Sequence, residues 1–410
     1  MRLLTDIRPL RESPDFRRLW LGSTVSQLGQ QMTAVTVSIQ VYALTHSTFA
    51  VGLVGLCSLV PLIVFGLYGG AMADAIDRRT LALVSSCGLW LLSMILVLQS
   101  QLHWGQVGVL YAVVAFQSAC FAVNNPARSA IIPRLIRPEL LPAANTLSQA
   151  AFNLGFTAGP LLGAAVIAWH GFAAAYLVDV ITFTAALYAL LRLPPVPPEG
   201  VARRAGLRSV LEGFTFLRAA PALLATFLAD ILAMVFAQPR ALFPAVAGAF
   251  FGGGVRIVGV LQAAPAIGAL IGVVFSGWVT RVRRQGVAIV VAITVYAAAV
   301  GLFGLSRTIW LGVALLALSG AADMVSSAYR NTVLQSAAPD AMRGRLQGVF
   351  IVVVAGGPRL GDFVAGTAAS LTTPTIALIG GATVCIVGLL LLVARNRPFR
   401  IYDSRTRELS

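Results

Sequence analysis

Residues 49–79 read FAVGLVGLCSLVPLIVFGLYGGAMADAIDRR: an apolar run over 49–73, then two acids and two arginines within the last six residues. A hydrocarbon core of about 30 Å takes roughly 20 apolar residues as helix. Only helices and closed barrels can satisfy their backbone groups there. The stretch therefore reads as one bilayer crossing that ends in a charged turn. Working outward, similar runs fall at 17–44, 80–99, 106–125, 143–168, 172–193, 221–247, 257–279, 286–305, 309–334, 346–370 and 374–394, twelve in all. Short alternating strands of the barrel kind are absent, and the composition agrees: 58% hydrophobic against 11% charged. The predicted class is an all-α membrane protein.

The arginines partition between the gaps. One set holds Arg2, Arg8, Arg11, Arg17 and Arg18, then Arg78 and Arg79, then Arg128, Arg134 and Arg137. It continues with Arg192, Arg203, Arg204, Arg208 and Arg218, with Arg281, Arg283 and Arg284, and with Arg330, Arg343 and Arg345. The tail adds Arg395, Arg397, Arg400, Arg405 and Arg407. The alternate segments hold only Arg240, Arg256 and Arg307. By the positive-inside rule the first set is cytoplasmic, which puts both termini inside and makes the crossing number even. The expected location is the plasma (inner) membrane.

A net charge of +15 raises the question of nucleic acid. The charge is spread over short loops at one membrane face, so that partner is excluded. The chain has no lysine, which removes a phosphate-loop lysine and with it ATP as a partner. The run after Arg17 and Arg18 is too long for a signal peptide and lacks a small-residue cleavage site. Cys57, Cys87, Cys120 and Cys385 fall inside spans without metal or redox spacing, and read as reduced packing residues. His46, His103 and His170 stand singly at the outer ends of spans, where interfacial anchoring is expected. No metal, cofactor or enzymatic centre is expected.

The longest hydrophilic interval, 194–220, opens with Pro194, Pro195, Pro197 and Pro198 and leaves six spans on each side. Val54-Gly55-Leu56 with Pro61 recurs as Val258-Gly259-Val260 with Pro265, and Asp77-Arg78-Arg79 finds a counterpart in Arg283-Arg284. Repeats of this kind build many secondary transporters, with the substrate site between the halves. The expected organisation is a six-helix bundle over 1–193, a cytoplasmic linker over 194–220, a pseudo-symmetric six-helix bundle over 221–394 and a cytoplasmic tail over 395–410.

The turn Gly70-Ala-Met-Ala-Asp74-Ala-Ile-Asp77-Arg78-Arg79 resembles the cytoplasmic signature loop of the major facilitator superfamily. The resemblance implies close helix packing at Gly70, a latch acid at Asp74 and basic partners at Arg78 and Arg79. The equivalent loop of the second half, 277–284, has Arg281 where the acid should stand, so the latch is expected to be one-sided. In the fifth span, Gly155, Gly159, Pro160 and Gly163 resemble the glycine-proline motif of antiporters in this superfamily, with Thr146 in place of its first glycine. Small residues at that spacing allow close contact, and proline bends the helix.

Further segments widen the resemblance. They are Phe16-Arg17-Arg18-Leu19-Trp20, Asn125-Pro126-Ala127-Arg128 with Ile132-Pro133, and Asp230 before Pro239-Arg240-Ala-Leu-Phe243-Pro244. Phe251-Gly252-Gly253-Gly254, Pro339-Asp340-Ala-Met-Arg343-Gly344-Arg345 and Gly357-Pro358-Arg359-Leu360-Gly361-Asp362 complete them. From about residue 14 to 394 the chain is similar to the enterobactin-exporter-like branch of the drug:proton antiporters. That likeness implies efflux of a siderophore, macrolide or other drug-like compound in exchange for protons.

Ionisable groups at membrane depth cost a few kcal/mol each and are functional candidates by default. Asp230 and Asp323 are the candidate proton carriers. Arg359 and Asp362, three apart on one helical face, read either as a neutralised structural pair or as a gating element. Asp179, near the outer end of its span, is expected to reach water. The fourth span, 106–125, contains no arginine of the kind many proton-driven members of that superfamily carry, and Gln117 is the nearest polar group. Gln27, Gln30 and Gln31 share one face of the first span, with Asn153 in the fifth; they read equally as substrate contacts or as interhelical glue. Met32, Phe65, Phe116, Phe227, Met234 and Phe236 offer a soft apolar lining.

The sequence thus reads as a twelve-helix secondary exporter in the lipid bilayer, moving a small molecule by alternating access. Uptake of a small polar nutrient is the second reading, disfavoured by the sparse intramembrane charge. An enzyme would need a clustered catalytic centre, and a sensor would need a larger soluble segment than 194–220 provides.

Overall fold

The computed structural model describes residues 6–197, 220–275, 282, 284–337, 343–396 and 399. Most of the predicted linker, together with Gly277, Arg281, Arg283, Pro339 and Asp340, lies outside the described residues, as do the side chains at Gly70, Asp74, Arg343 and Arg345. Every regular element among the described residues is helical. After a one-turn helix, Arg8–Glu12, come α1 (Pro14–Thr45), α2 (Thr48–Ala75), α3 (Arg78–Gln101), α4 (Val107–Leu135) and α5 (Leu141–Leu191). They are followed by α6 (Pro221–Phe236), α7 (Phe243–Phe251), α8 (Val255–Val274), α9 (Gln285–Phe303), α10 (Ile309–Ala337), α11 (Arg343–Leu371) and α12 (Pro374–Arg395).

Local chemistry sets several of these boundaries. Asp77 caps α3, accepting from the Thr80 N–H at 2.7 Å. Thr373 caps α12 with Pro374 in its first turn, where the missing N–H costs nothing. α7 ends on Gly252 in the left-handed region, φ 60°, the usual place for glycine after a helix. Inside α5 the backbone leaves the helix at Gly171, φ 78° and ψ −179°, a conformation open only to glycine. His46 and His103, both at positive φ, turn the chain after α1 and α3.

Nine segments of the described residues are long and apolar enough to cross a membrane. α1 is not among them, because Arg17, Arg18, four glutamines and many hydroxyls dilute its hydropathy. Large apolar side chains face outward along the helices, among them Trp310 and Val274 at 82% and 77% exposure. Apolar exposure on that scale suits lipid contact rather than water.

The chain divides into two compact units, one of residues 6–44 with 57–197, the other of 45–56 with the described residues from 220 onward. In the first, α1 packs on both legs of α5. Gly155, Gly159 and Gly163 of one leg meet Gln27, Gln31 and Met32, and Gly22 meets Ala186 and Ala189 of the other. An apolar cluster of Leu81, Val123, Ile131 and Leu190 closes one end. In the second unit α8 crosses α10 backbone to backbone: a methyl on Gly320 would overlap the Pro265 carbonyl, and one on Gly268 the Ala317 carbonyl. Gly361 brings α11 equally close to the Met234 carbonyl of α6.

Candidate functional site

Polar residues recur along α1 at Ser26, Thr33 and Gln40, seven residues apart, all buried. A seven-residue step returns to nearly the same helix face about 10 Å further on. Each of the three sits at the level of a polar group on α3, at Ser86, Ser93 and Gln99, so the first unit carries three stacked polar layers.

The layer at Ser26 is built around Arg128. Its Nη1 donates to the hydroxyls of Ser23 at 3.1 Å and Ser26 at 3.3 Å, and its Nη2 to Ser86 at 3.1 Å. Asn124, one turn earlier, donates to the Ser85 and Ser86 hydroxyls at 2.8 Å each. Arg128 is thus no loop cation. α4 continues well past 125, to Leu135, and carries the arginine that the apolar window 106–125 lacked. Beside it opens a cavity of about 420 Å³, bordered by Trp20, Gln27, Gln30, Phe121, Asn145 and Gln149, among others.

The middle layer holds Asp179. It is 1% exposed, so the expectation that it reaches water is corrected. Its Oδ2 accepts from Ser93 Oγ at 2.7 Å, and Gln117 Nε2 lies 3.4 Å from the same hydroxyl. The span containing Asp179 packs so tightly on Gly29 that a methyl there would stand 2.6 Å from Asp179 Oδ1. In the third layer Gln40 and Gln99 exchange amide hydrogen bonds, with Tyr176 donating to Gln40 Oε1 at 2.6 Å. This layer is a closed polar network, satisfied internally.

The second unit contains the densest charge cluster of the described residues. Arg330 of α10, 7% exposed, forms an ion pair through Nη1 with Asp230 of α6, and its Nη2 lies 3.3 Å from Asp323 Oδ1. Asp323 and Arg330 are seven apart and share a face of α10. Asp230 is buried, whereas the Asp323 side chain is 41% exposed. Sequence reasoning grouped Arg330 with loop cations because it follows the apolar part of α10; the spacing from Asp323 was the available signal.

Asp362 of α11 accepts from the Ala241 N–H, and Arg240 and Arg359 are its cationic neighbours. Arg240 does not sit in an external loop: it opens a short turn, Arg240–Leu242, where the seventh predicted span breaks between α6 and α7. The Ala237 carbonyl freed by that break accepts from Tyr296 Oη at 3.1 Å, as an orphaned helix end requires.

The Asp74 side chain lies outside the described residues; the part of the signature turn that is described is fastened by Asp77, Arg78 and Arg79. Asp77 Oδ2 accepts from the Val196 N–H at 2.7 Å and Oδ1 from the Thr80 N–H and hydroxyl. Burial opposes the Asp77 charge, but these donors outweigh it and hold the carboxyl below its ordinary range. Arg79 donates to the Leu190 and Leu191 carbonyls at 3.1 and 2.7 Å, capping the end of α5, and Arg78 donates to the Ala130 carbonyl at 3.2 Å. Asp77 and Arg79 together tie α3 to the segment leaving α5.

The glutamine group divides. Gln27 and Gln30 border the cavity and Gln31 does not; a methyl on Gly159 would lie 2.6 Å from Gln31 Cβ, so that residue faces the glycine-proline motif. Asn153 accepts from Gln149 at 3.3 Å. None of Met32, Phe65, Phe116, Phe227, Met234 and Phe236 borders this cavity. Phe116 is 64% exposed; the aromatic lining of this cavity comes from Phe16, Trp20, Phe121, Phe152 and Phe183.

The transmembrane secretion effector family model matches residues 4–408. The enterobactin exporter EntS of Citrobacter koseri is 30% identical over 402 residues, covering 97% of this chain and 96% of that protein. The enterobactin exporter EntS of Shigella boydii is 30% identical over 393 residues, covering 95% and 94%. Among solved structures, a POT family transporter in complex with 5-aminolevulinic acid superposes with a TM-score of 0.77 at 13% identity, covering 94% of this chain and 97% of the other. The nucleoside transporter NupG gives 0.71 at 14% identity, covering 93% and 98%. At those identities the likeness speaks for the fold, a helical transporter fold. With a family model spanning nearly every residue and relatives matched end to end, the chain belongs to the transmembrane secretion effector family of the major facilitator superfamily.

Proposed function

We propose that this protein is a proton-coupled exporter of a siderophore-like or drug-like compound. It would cross the plasma membrane twelve times, with both termini in the cytoplasm. Two six-helix bundles, 1–193 and 221–394, joined by the linker 194–220 and followed by the tail 395–410, would alternate access to the substrate. The enterobactin exporters matched along their full length support export. The helix lengths support the crossing number. The 51 residues of α5 would measure about 77 Å as one helix, more than twice the hydrocarbon core, and the break at Gly171 divides it into two crossings. α6 and α7 together supply one, and each other long helix supplies one.

The observation that carries proton coupling is the cluster of Asp230, Asp323 and Arg330. Asp230 and Asp323 share the Arg330 guanidinium, Arg240 is a further cationic neighbour of Asp323, and a proton on Asp323 changes the charge of this cluster by one. Asp323 is the half-exposed member and takes that proton, while Asp230 keeps Arg330 paired. Loading and unloading that proton changes the electrostatic cost of carrying the cluster between conformations, so uptake and release of the proton set the direction of export. Asp362 with Arg359 and Arg240 forms a second charged group, read as a gate. Asp77, Arg78 and Arg79, with Asp74 beside them, form the cytoplasmic latch. Gln27 and Gln30 face the cavity and are the substrate contacts of the glutamine group; Gln31, Asn153, Gly155, Gly159, Pro160 and Gly163 shape the α1–α5 seam.

Asp323→Asn keeps the shape of the site and removes its proton. With iron-free enterobactin and erythromycin as test compounds in proteoliposomes, the variant is expected to lose gradient-driven accumulation by at least about tenfold, the loss that follows from about 1.4 kcal/mol. Exchange without a gradient should persist. Full gradient-driven accumulation by the variant would remove Asp323 from the coupling role.

A further inference from the structure

Asp179 is a buried acid that the proton cycle at Arg330 leaves unused. Its Oδ2 accepts from Ser93 Oγ at 2.7 Å, while Oδ1 is buried with no hydrogen-bond partner. The Thr33 and Thr182 hydroxyls are its other neighbours, and no cation of the described residues stands beside it. Thr182 donates to the Asp179 backbone carbonyl at 2.8 Å, and Thr33 Oγ1 is itself buried without a partner. The ionisable groups on the surrounding helices are engaged elsewhere or distant. Tyr176 donates to Gln40, Cys120 lies against Gly88, Cys87 is exposed, and Tyr111 has Cys57 as a neighbour. Arg128 belongs to the adjoining polar layer, about 10 Å along α1. Tyr42 and Tyr188 stand about 14 Å along their helices from the level of Asp179.

A carboxylate at membrane depth whose partners are hydroxyls keeps an uncompensated charge, which is costly. In the second unit Arg330 answers Asp230 and Asp323; at Asp179 the neutralising charge must come from outside the fold. A metal ion does not fit. A methyl on Gly29 would stand 2.6 Å from Asp179 Oδ1 and would overlap Thr182 Oγ1, so the main chain of α1 closes over the carboxyl. A proton needs no such room, and it has a path. Nε2 of the half-buried Gln117 lies 3.4 Å from Ser93 Oγ, and Ser93 donates to Asp179. Leu89, Phe121 and Phe183 border the first-unit cavity, each four residues from Ser93, Gln117 and Asp179 respectively. On all three helices that step is about one turn, roughly 6 Å, so the acid sits just beyond the cavity wall.

We propose that Asp179 is a second proton-binding site of this chain, occupied in the packing described and served from the cavity through Gln117 and Ser93. A proton from cavity water at Gln117 arrives on Ser93 Oγ as the hydroxyl's own proton passes to Asp179 Oδ2, and the reverse transfers empty the site. Loaded, Asp179 is neutral and its O–H has Thr33 Oγ1 beside it. The site stands on its own geometry. Its use in transport rests on the proton-coupled reading, and makes two protons, one at Asp179 and one at Asp323, the charge exchanged in each cycle.

Infrared spectra of the full-length protein in phosphatidylcholine nanodiscs at neutral pH read the proton directly, through the C=O stretch of a protonated carboxyl. The difference between wild type and Asp179→Asn is expected to contain one such band. Ser93→Ala should shift it, because the acid loses that hydrogen bond, and this assigns the band with the acid in place even if Asp179→Asn does not fold. In deuterium oxide the band should exchange in wild type and lag in Ser93→Ala. Flux then reads the second proton. In proteoliposomes with the membrane potential clamped, each imported proton multiplies accumulation about tenfold per pH unit of gradient. Asp179→Asn should therefore lower accumulation by about that factor and leave the remainder gradient-dependent. A spectrum with no carboxyl band sensitive to either substitution would show Asp179 ionised and overturn the proposal. So would wild-type accumulation by Asp179→Asn, because the acid would then carry no proton through the cycle. The band in a protein that accumulates neither enterobactin nor erythromycin under any gradient would refute the coupling reading and leave this site standing. Gradient-driven flux without the band would do the reverse.

Discussion

Arg330→Met is expected to cost more folded protein than any other single change among the charged residues. It takes from Asp230, buried on α6, the guanidinium it pairs with, and removes one of the cations beside Asp323. Breaking a buried pair by deleting one member costs about 3–5 kcal/mol. Little monodisperse protein should survive detergent extraction, and the melting midpoint of what remains should fall by several degrees. Adding Asp230→Asn to Arg330→Met removes the stranded charge and should restore most of the folded yield without restoring gradient-driven transport. Size-exclusion profiles and thermal melts of the two variants decide the matter. A single variant that melts like wild type would mean that the ion pair does not hold α6 to α10.

Gly320→Leu should be comparably severe for a different reason. The first added carbon would overlap the Pro265 carbonyl, and Gly268, one turn along the same crossing, is equally close to the Ala317 carbonyl. Overpacking that neighbouring side chains can relieve costs about 1–3 kcal/mol. Here the obstacle is main chain on both sides, so α8 and α10 would have to separate. The expected result is loss of the monodisperse peak. Gly380→Ala is the control, because a methyl there meets nothing within 4 Å, and its melting midpoint should stay level or rise slightly. Wild-type behaviour of Gly320→Leu would show that the α8–α10 crossing is looser than described.

These two residues illustrate what could be read from sequence. Helix-forming apolar runs were visible because hydropathy integrates over some twenty residues, and the proline and glycine breaks between them are local signals. The family likeness was carried by short local strings, such as the turn ending at Asp77-Arg78-Arg79. What averaging hid were charges just beyond an apolar window. α4 runs past its apolar part to Arg128, and α10 past its own to Arg330, so both arginines looked like loop cations. Their partners lie far away in sequence: Ser23, Ser26 and Ser86 for one, Asp230 for the other. Periodicity held part of the information, since Asn124 and Arg128 are four apart and Asp323 and Arg330 seven, spacings that share a helix face. The break between α6 and α7 was hidden for the opposite reason. Pro239 and Arg240 sit in an otherwise apolar segment, and only the packing of Ala241 against Asp362 and of Ala237 against Tyr296 explains why the helix stops there.

Glutamines 27, 30 and 31 teach a related lesson. Their shared face was legible, but not which edge of it met another helix. The glycines at 155 and 159 draw α5 onto Gln27 and Gln31, which leaves Gln30 as the member most fully given to the cavity. The aromatic residues show the same limit, because an exposed Phe116 and a cavity-facing Phe121 differ only in angle around one helix.

The central claim, export driven by inward proton flow, is tested most directly by one flux measurement on the wild-type protein. Proteoliposomes loaded at acidic pH are diluted into a more alkaline buffer containing iron-free enterobactin or erythromycin. Accumulation inside the vesicles that collapses when nigericin dissipates the pH gradient, and that disappears when the gradient is reversed, is the predicted result. Accumulation of both compounds that is indifferent to the gradient, or no accumulation of either under any gradient, would contradict it.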